Sequence, residues 1–107
     1  MIRTEIQAGI CGFHTSVRAF SDDSQNVSLE ITSTCEKITA LAGALGPIDA
    51  YQEIGGGFDG VVLTAARNTL KGCCAGCIVP NGIFKTVQVA GSVALPAPLS
   101  ITIERTE

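Results

Sequence analysis

Residues 2–31 read IRTEIQAGICGFHTSVRAFSDDSQNVSLEI, and three times in this stretch apolar or small side chains recur at every second position. Ile2, Thr4 and Ile6 make the first set, Phe13, Thr15, Val17 and Ala19 the second, and Val27, Leu29 and Ile31 the third. Successive side chains of a strand point to opposite faces, so this alternation predicts three strands, each with one buried face. Ser21-Asp22-Asp23-Ser24-Gln25-Asn26 supplies turn formers between the second and third, which predicts an antiparallel meander. Leu99, Ile101 and Ile103 repeat the pattern and predict a fourth strand, led into by the stiff Pro96-Ala97-Pro98.

A sheet with one apolar face needs a cover. Ile38, Leu41, Ala42 and Leu45 fall at helical spacing, Ser33 and Glu36 have the spacing of a capping box, and Gly46-Pro47 is the expected stop. A second helix is expected from Gly60 to Lys71, with Leu63, Ala66 and Leu70 on one face. A third is expected to begin at Pro80, although Val87, Val89, Gly91 and Val93 also alternate as in a strand. The expected architecture is α+β: a two-layer sandwich with two or three helices on one face of a four-stranded, mainly antiparallel sheet. No internal repeat or linker interrupts the chain, so residues 1–107 read as a single domain.

Composition narrows the function. With 46% hydrophobic and 16% charged residues the chain can bury an ordinary core without leaning on a metal or a disulfide, and its surface would also support a homodimer. The net charge is −3, and Arg3, Arg18, Lys37, Arg67, Lys71, Lys85 and Arg105 are scattered, so no basic stripe exists to follow a phosphate backbone and nucleic acid is not an expected partner. No stretch approaches the roughly 18 apolar residues that a membrane span needs, and Met1-Ile2-Arg3-Thr4-Glu5 does not start a secretory signal. The expected location is therefore cytoplasmic, away from any membrane. A reducing cytoplasm disfavours permanent disulfides, which makes the five cysteines the main functional signal.

Three of them crowd into Cys73-Cys74-Ala75-Gly76-Cys77. A two-residue spacer lets Cys74 and Cys77 aim both sulfurs at one ion, and Cys73 can substitute for Cys74. Cys11 lies between glycines in the connection of the first two strands, and Cys35 falls at the start of the first predicted helix, where the positive end of the helix dipole stabilises negative charge. Cys77, three residues before Pro80, is expected to face the start of the third helix. Cys11, Cys35, Cys74 and Cys77 are thus the candidate metal ligands, with two helix amino termini toward an anionic site. The alternative for Cys11 and Cys35 is burial as small apolar residues. His14, three residues beyond Cys11, is a substitute ligand or proton donor, or simply a strand residue on the polar face of the sheet.

Ile10-Cys11-Gly12-Phe13-His14-Thr15, the lone Cys35 before a helix, Cys77-Ile78-Val79-Pro80, and the Val89 to Pro96 run ending Ala94-Leu95-Pro96 together resemble a family of small uncharacterised cysteine-containing proteins of anaerobic bacteria and archaea. The resemblance spans most of the chain. In such relatives a cysteine stands upstream of the one matching Cys77 and a proline follows it directly; Cys73-Cys74 and Ile78 depart from that pattern. The resemblance implies an anaerobic setting, and with it an iron-sulfur cluster ahead of zinc.

Other signals carry less. Gly55-Gly56-Gly57-Phe58-Asp59-Gly60 has dinucleotide-loop spacing but no acidic residue about 20 positions on, so it reads as a flexible glycine loop. Asp22, Asp23, Asp49, Glu53 and Asp59 read as a solvated acidic surface without the spacing of a calcium loop. Nothing fits a hydrolase triad, and no reaction is assigned. The expected function is a small cysteine-ligated metal protein for electron transfer, sensing or cluster handling, with a redox or cluster-transfer protein as partner. A metal-free thiol redox or sulfur-transfer protein using Cys74 and Cys77, and a metal-free interaction module, are the alternatives.

Overall fold

The computed structural model describes residues 1–107. Strands β1 (Ile2–Gln7), β2 (His14–Phe20) and β3 (Asn26–Ser33) form the expected antiparallel meander, with Thr4 opposite Val17 and Val17 opposite Ile31. The alternation decides which face is covered. Ile6, Thr15, Val17, Ala19 and Val27 are buried on one side, while Arg3, Glu5, Arg18 and Glu30 lie exposed on the other.

Four helices follow: α1 (Glu36–Gly43), α2 (Ala50–Gly56), α3 (Val61–Thr69) and α4 (Val79–Ala90). The α+β class and the four-stranded antiparallel sheet hold, but the fourth strand is not the expected one. Leu99 to Ile103 form no strand, and the three aliphatic side chains there are 54–90% exposed. The sheet instead ends in β4 (Ile48–Asp49), whose two residues pair with Asn26 and Val27 of β3, giving the order β1-β2-β3-β4. Alternation marks an amphipathic segment; it does not supply a neighbouring strand.

The first helix buries Ile38 and Leu41 as its spacing predicts, but it ends at Gly43, before the expected Gly46-Pro47 stop. Leu45 lies beyond it and still packs against the core. The capping box does not form. Cys35 is the N-cap, and Ser33 Oγ instead bonds Thr15 Oγ1 at 2.8 Å and accepts the Cys35 amide at 3.1 Å. The second expected helix is α3, where Val62 and Ala66 turn inward and Leu63, expected on that face, is only partly buried, while Leu70 is buried just beyond the helix end; the third is α4, which carries Val87 and Val89 and so excludes the strand reading of that run.

The unforeseen element is α2. Asp49 caps it by accepting the amides of Tyr51 and Gln52, at 3.0 and 3.1 Å, so Asp49 is structural. Glu53, expected on the surface, is 2% exposed and accepts the amides of Val61 and Val62, at 2.9 and 2.7 Å, at the start of α3. A carboxylate from one helix thereby satisfies the free donors of the next. Gly55 and Gly56 complete α2 and Gly57–Asp59 makes a further helical turn, so the glycine run is mostly helical rather than a loop.

Helix α4 lies across β1 and β2 and runs opposite to β1. A Cβ at Gly82 would come within 2.5 Å of Ile6 Cδ1, while Thr86 Oγ1, four residues on, is hydrogen-bonded to Thr4 Oγ1 at 2.7 Å. Only glycine allows that approach without displacing Ile6.

The β2–β3 turn is held by Asp23, whose carboxylate accepts the amides of Asn26 and Gln25, at 2.8 and 2.9 Å, and the Asn26 side chain at 2.8 Å. The Asn26 amide, then the Asn26 side chain and the Gln25 amide, hold this carboxyl well below the ordinary aspartate range. A depressed native value contributes stability that is complete above the unfolded value of 3.8 and is lost as pH falls toward the native one. Asp23→Ala should therefore lower the melting temperature at neutral pH and flatten its decline below about pH 4. Parallel acid melting curves for the two proteins would contradict this reading.

Candidate metal centre

The topology brings the cysteine-bearing segments to one end of the sheet. Gln7 pairs with His14 and Thr15 with Ser33, so the turn holding Cys11 and the start of α1 at Cys35 sit at the same end. The Thr34 amide donates to the His14 carbonyl at 3.1 Å and closes that end of the meander. Because Gly82 lies over Ile6, the beginning of α4 and the Cys73–Cys77 turn before it reach this end as well.

The thiols differ in setting. Cys11, in the helical turn Gly9–Cys11, is exposed, as is Cys73; Cys35, Cys74 and Cys77 are partly buried and packed against the hydrophobic core. Cys77 directly precedes Ile78, the N-cap of α4, as the sequence leads one to expect. All five are free thiols. Cys74 has a charged neighbour: Lys37 Nζ, from the first turn of α1, donates to its Sγ at 3.4 Å. Close approach stops there. No three His, Cys, Asp or Glu side chains come together as one metal-binding group.

The donor set suits a thiophilic metal by its chemistry, since thiolate sulfur is the common ligand of zinc and of iron-sulfur clusters. By position it is incomplete. Closing Cys11, Cys35, Cys74 and Cys77 on one ion requires the Gly9–Cys11 and Gly72–Gly76 turns to shift, and neither turn contains a buried residue.

His14 stands on the polar face, the second of its two expected places. Its Nε2 donates to Glu5 Oε1 at 2.7 Å, Ser16 Oγ donates to the same oxygen at 2.6 Å, and His14 Nδ1 is buried without a partner. The Ser16 hydroxyl and then His14 hold the Glu5 carboxyl below its ordinary value. In this cluster the carboxylate stands between the other two side chains and the imidazole makes no hydrogen bond to the serine hydroxyl, so it is not a hydrolytic triad.

Lys37 is the neighbour that sequence reasoning missed. One signal pointed to it: a cation in a first helical turn faces the positive end of the dipole, which favours its pairing with an electron-rich group elsewhere. That this group is Cys74, 37 positions along the chain, is a tertiary fact.

No helix is long and apolar enough to cross a membrane. Comparison with curated proteins and with solved structures yields no match. A family model does match, over residues 2–103, almost the whole chain described above, and the protein therefore belongs to the family of unknown function DUF6951.

Proposed function

We propose that the protein is a small cysteine-ligated metal-binding protein. Its ligands are Cys11, Cys35, Cys74 and Cys77, with Cys73 as the substitute, and its metal is an iron-sulfur cluster ahead of zinc. The observation that carries this reading is the gathering of thiols from three separate segments at one end of the sheet. The anaerobic setting implied by the sequence resemblance favours the cluster over zinc. When bound, such a cluster supplies one-electron chemistry for transfer, sensing or cluster handling with a redox or cluster-transfer protein. The chain's own part is to present the sulfurs: the core holds Cys35, Cys74 and Cys77 in place, and the exposed turns carry Cys11 and Cys73.

The test is elemental analysis and a visible spectrum of protein purified without oxygen. Wild type should carry iron with acid-labile sulfide or, failing that, zinc. Cys74→Ser should lose most of the metal, whereas Cys73→Ser should keep it. Metal-free wild type would overturn the reading, and the reverse pattern would make Cys73 the partner of Cys77. Since a domain of this size with a cluster of 14 buried apolar residues has an ordinary core to hold it, chelation should leave the far-ultraviolet circular dichroism nearly unchanged; global unfolding would indicate a zinc-finger type of structural site.

The Lys37 contact favours a second reading, a metal-free thiol protein in which the ammonium group supports a reactive Cys74 beside Cys77. Under that reading Cys74 is alkylated more slowly in metal-free Lys37→Met protein than in metal-free wild type. Equal alkylation rates would remove it.

A further inference from the structure

We propose that two copies of the chain associate by exchanging residues 99–104, which add as an antiparallel strand to the free edge of β1 in the other copy. Strand β1 is an outer strand: β2 occupies one side, and no backbone hydrogen bond joins residues 94–107 to the other. An unpaired edge is a template for a further strand. Residues 99–103 carry the matching pattern, with Leu99, Ile101 and Ile103 at 54%, 70% and 90% exposure. A groove of about 720 Å³ already runs between β1, α4 and Pro96 to Ile101, so the edge is accessible beside the helix layer.

Charge favours one orientation. Placing Ile101 opposite Ile6 in an antiparallel ladder puts Ile103 opposite Thr4, both on the helix-covered face, and puts Glu104 opposite Arg3 on the polar face. The chain's own tail does not reach that ladder directly. Helix α4 runs opposite to β1 and ends at the Ser24 side of the sheet, where Ser92 Oγ donates to Ser24 Oγ at 3.2 Å, so a tail returning along its own β1 runs parallel and brings Gln7, not Arg3, to Glu104. Between helix and tail stand Ser92, with a left-handed φ of 62°, and the stiff Pro96-Ala97-Pro98. A short stiff hinge of this kind favours pairing with a second copy over folding back.

The test is sedimentation or light scattering of the full chain over a dilution series, in metal-free buffer with reductant so that neither metal nor disulfides can join copies. Wild type should show twice the 11.0 kDa chain mass at the upper concentrations. Ile101→Asp/Ile103→Asp should return the single-chain mass with unchanged circular dichroism, because both side chains lie outside the core. Arg3→Glu should weaken the dimer, and Arg3→Glu/Glu104→Arg should restore it. A wild type that stays monomeric throughout overturns the proposal. So does a dimer indifferent to the Ile101 and Ile103 changes, or a charge swap that restores nothing.

Discussion

Leu41→Ala should lower the unfolding free energy by about 2–5 kcal/mol, the range for emptying a fully buried leucine site. Leu41 has no exposed surface, and α1 packs on β3 and α3, so truncation opens a cavity between layers that side-chain adjustment only partly refills. Against a total stability of roughly 5–15 kcal/mol for a domain, this is a large share. Urea unfolding should show a lower midpoint at nearly constant slope. A loss below about 1 kcal/mol would mean that the α1 layer is loosely packed. Helix α1 also carries Lys37 and is capped by Cys35, so the same variant should loosen the thiol-bearing end of the sheet along with the core.

Glu53→Ala should be nearly as severe, through a different mechanism. The carboxylate is 2% exposed and is the acceptor for two amides at the start of α3; without it the donors of Val61 and Val62 stand unpaired, the second fully buried. A hydrogen bond to a charged group contributes about 1.5–3 kcal/mol, and an unsatisfied buried donor costs about 1–3 kcal/mol, so a loss near 3 kcal/mol is expected. Glu53→Gln keeps one acceptor oxygen and should lose about half as much. Gly60→Ala gives an independent check, because its Cβ would lie 2.9 Å from the Glu53 carboxyl carbon. The two sites should couple: Gly60→Ala should be harmful with Glu53 present and much milder in the Glu53→Ala background. Additive losses would show that the carboxylate does not bind the two helices together.

Much of this architecture was legible in the residues, and the misses share a cause. The meander follows from side-chain parity, which is local, and α4 from its Pro80 start. Leu99, Ile101 and Ile103 have the same parity, but a strand also needs a neighbour, and that information is not in the segment itself. Strand β4, with two residues, is too short to show a period. Helix α2 was hidden because Ala50 to Gly56 ends in glycines and its apolar positions follow no face; its one clear mark was Asp49 as a cap. Glu53 resembled surface acid because charge suggests exposure, and only the two amides brought to it by α3 explain its burial. At the thiol end, the pairing of strands puts the turn with Cys11 and the start of α1 at Cys35 at the same end of the sheet, as a meander with short connections requires. The nearness of Lys37 to Cys74 depends on how α1 meets α3, and no spacing encodes it.

The contact of Thr4 with Thr86 joins residues 82 positions apart, so the first strand receives its cover from the last helix. During synthesis the meander leaves the ribosome with Ile6 and Val17 uncovered, and these two stay so until α4 has emerged, because α1 packs on β3 instead. Closing so long a loop costs entropy before any contact returns it, which makes the docking of α4 on β1 a late and rate-setting event. Until then the apolar sheet face is open to other chains, and a chaperone that holds it would act in the interval between the emergence of β3 and that of α4.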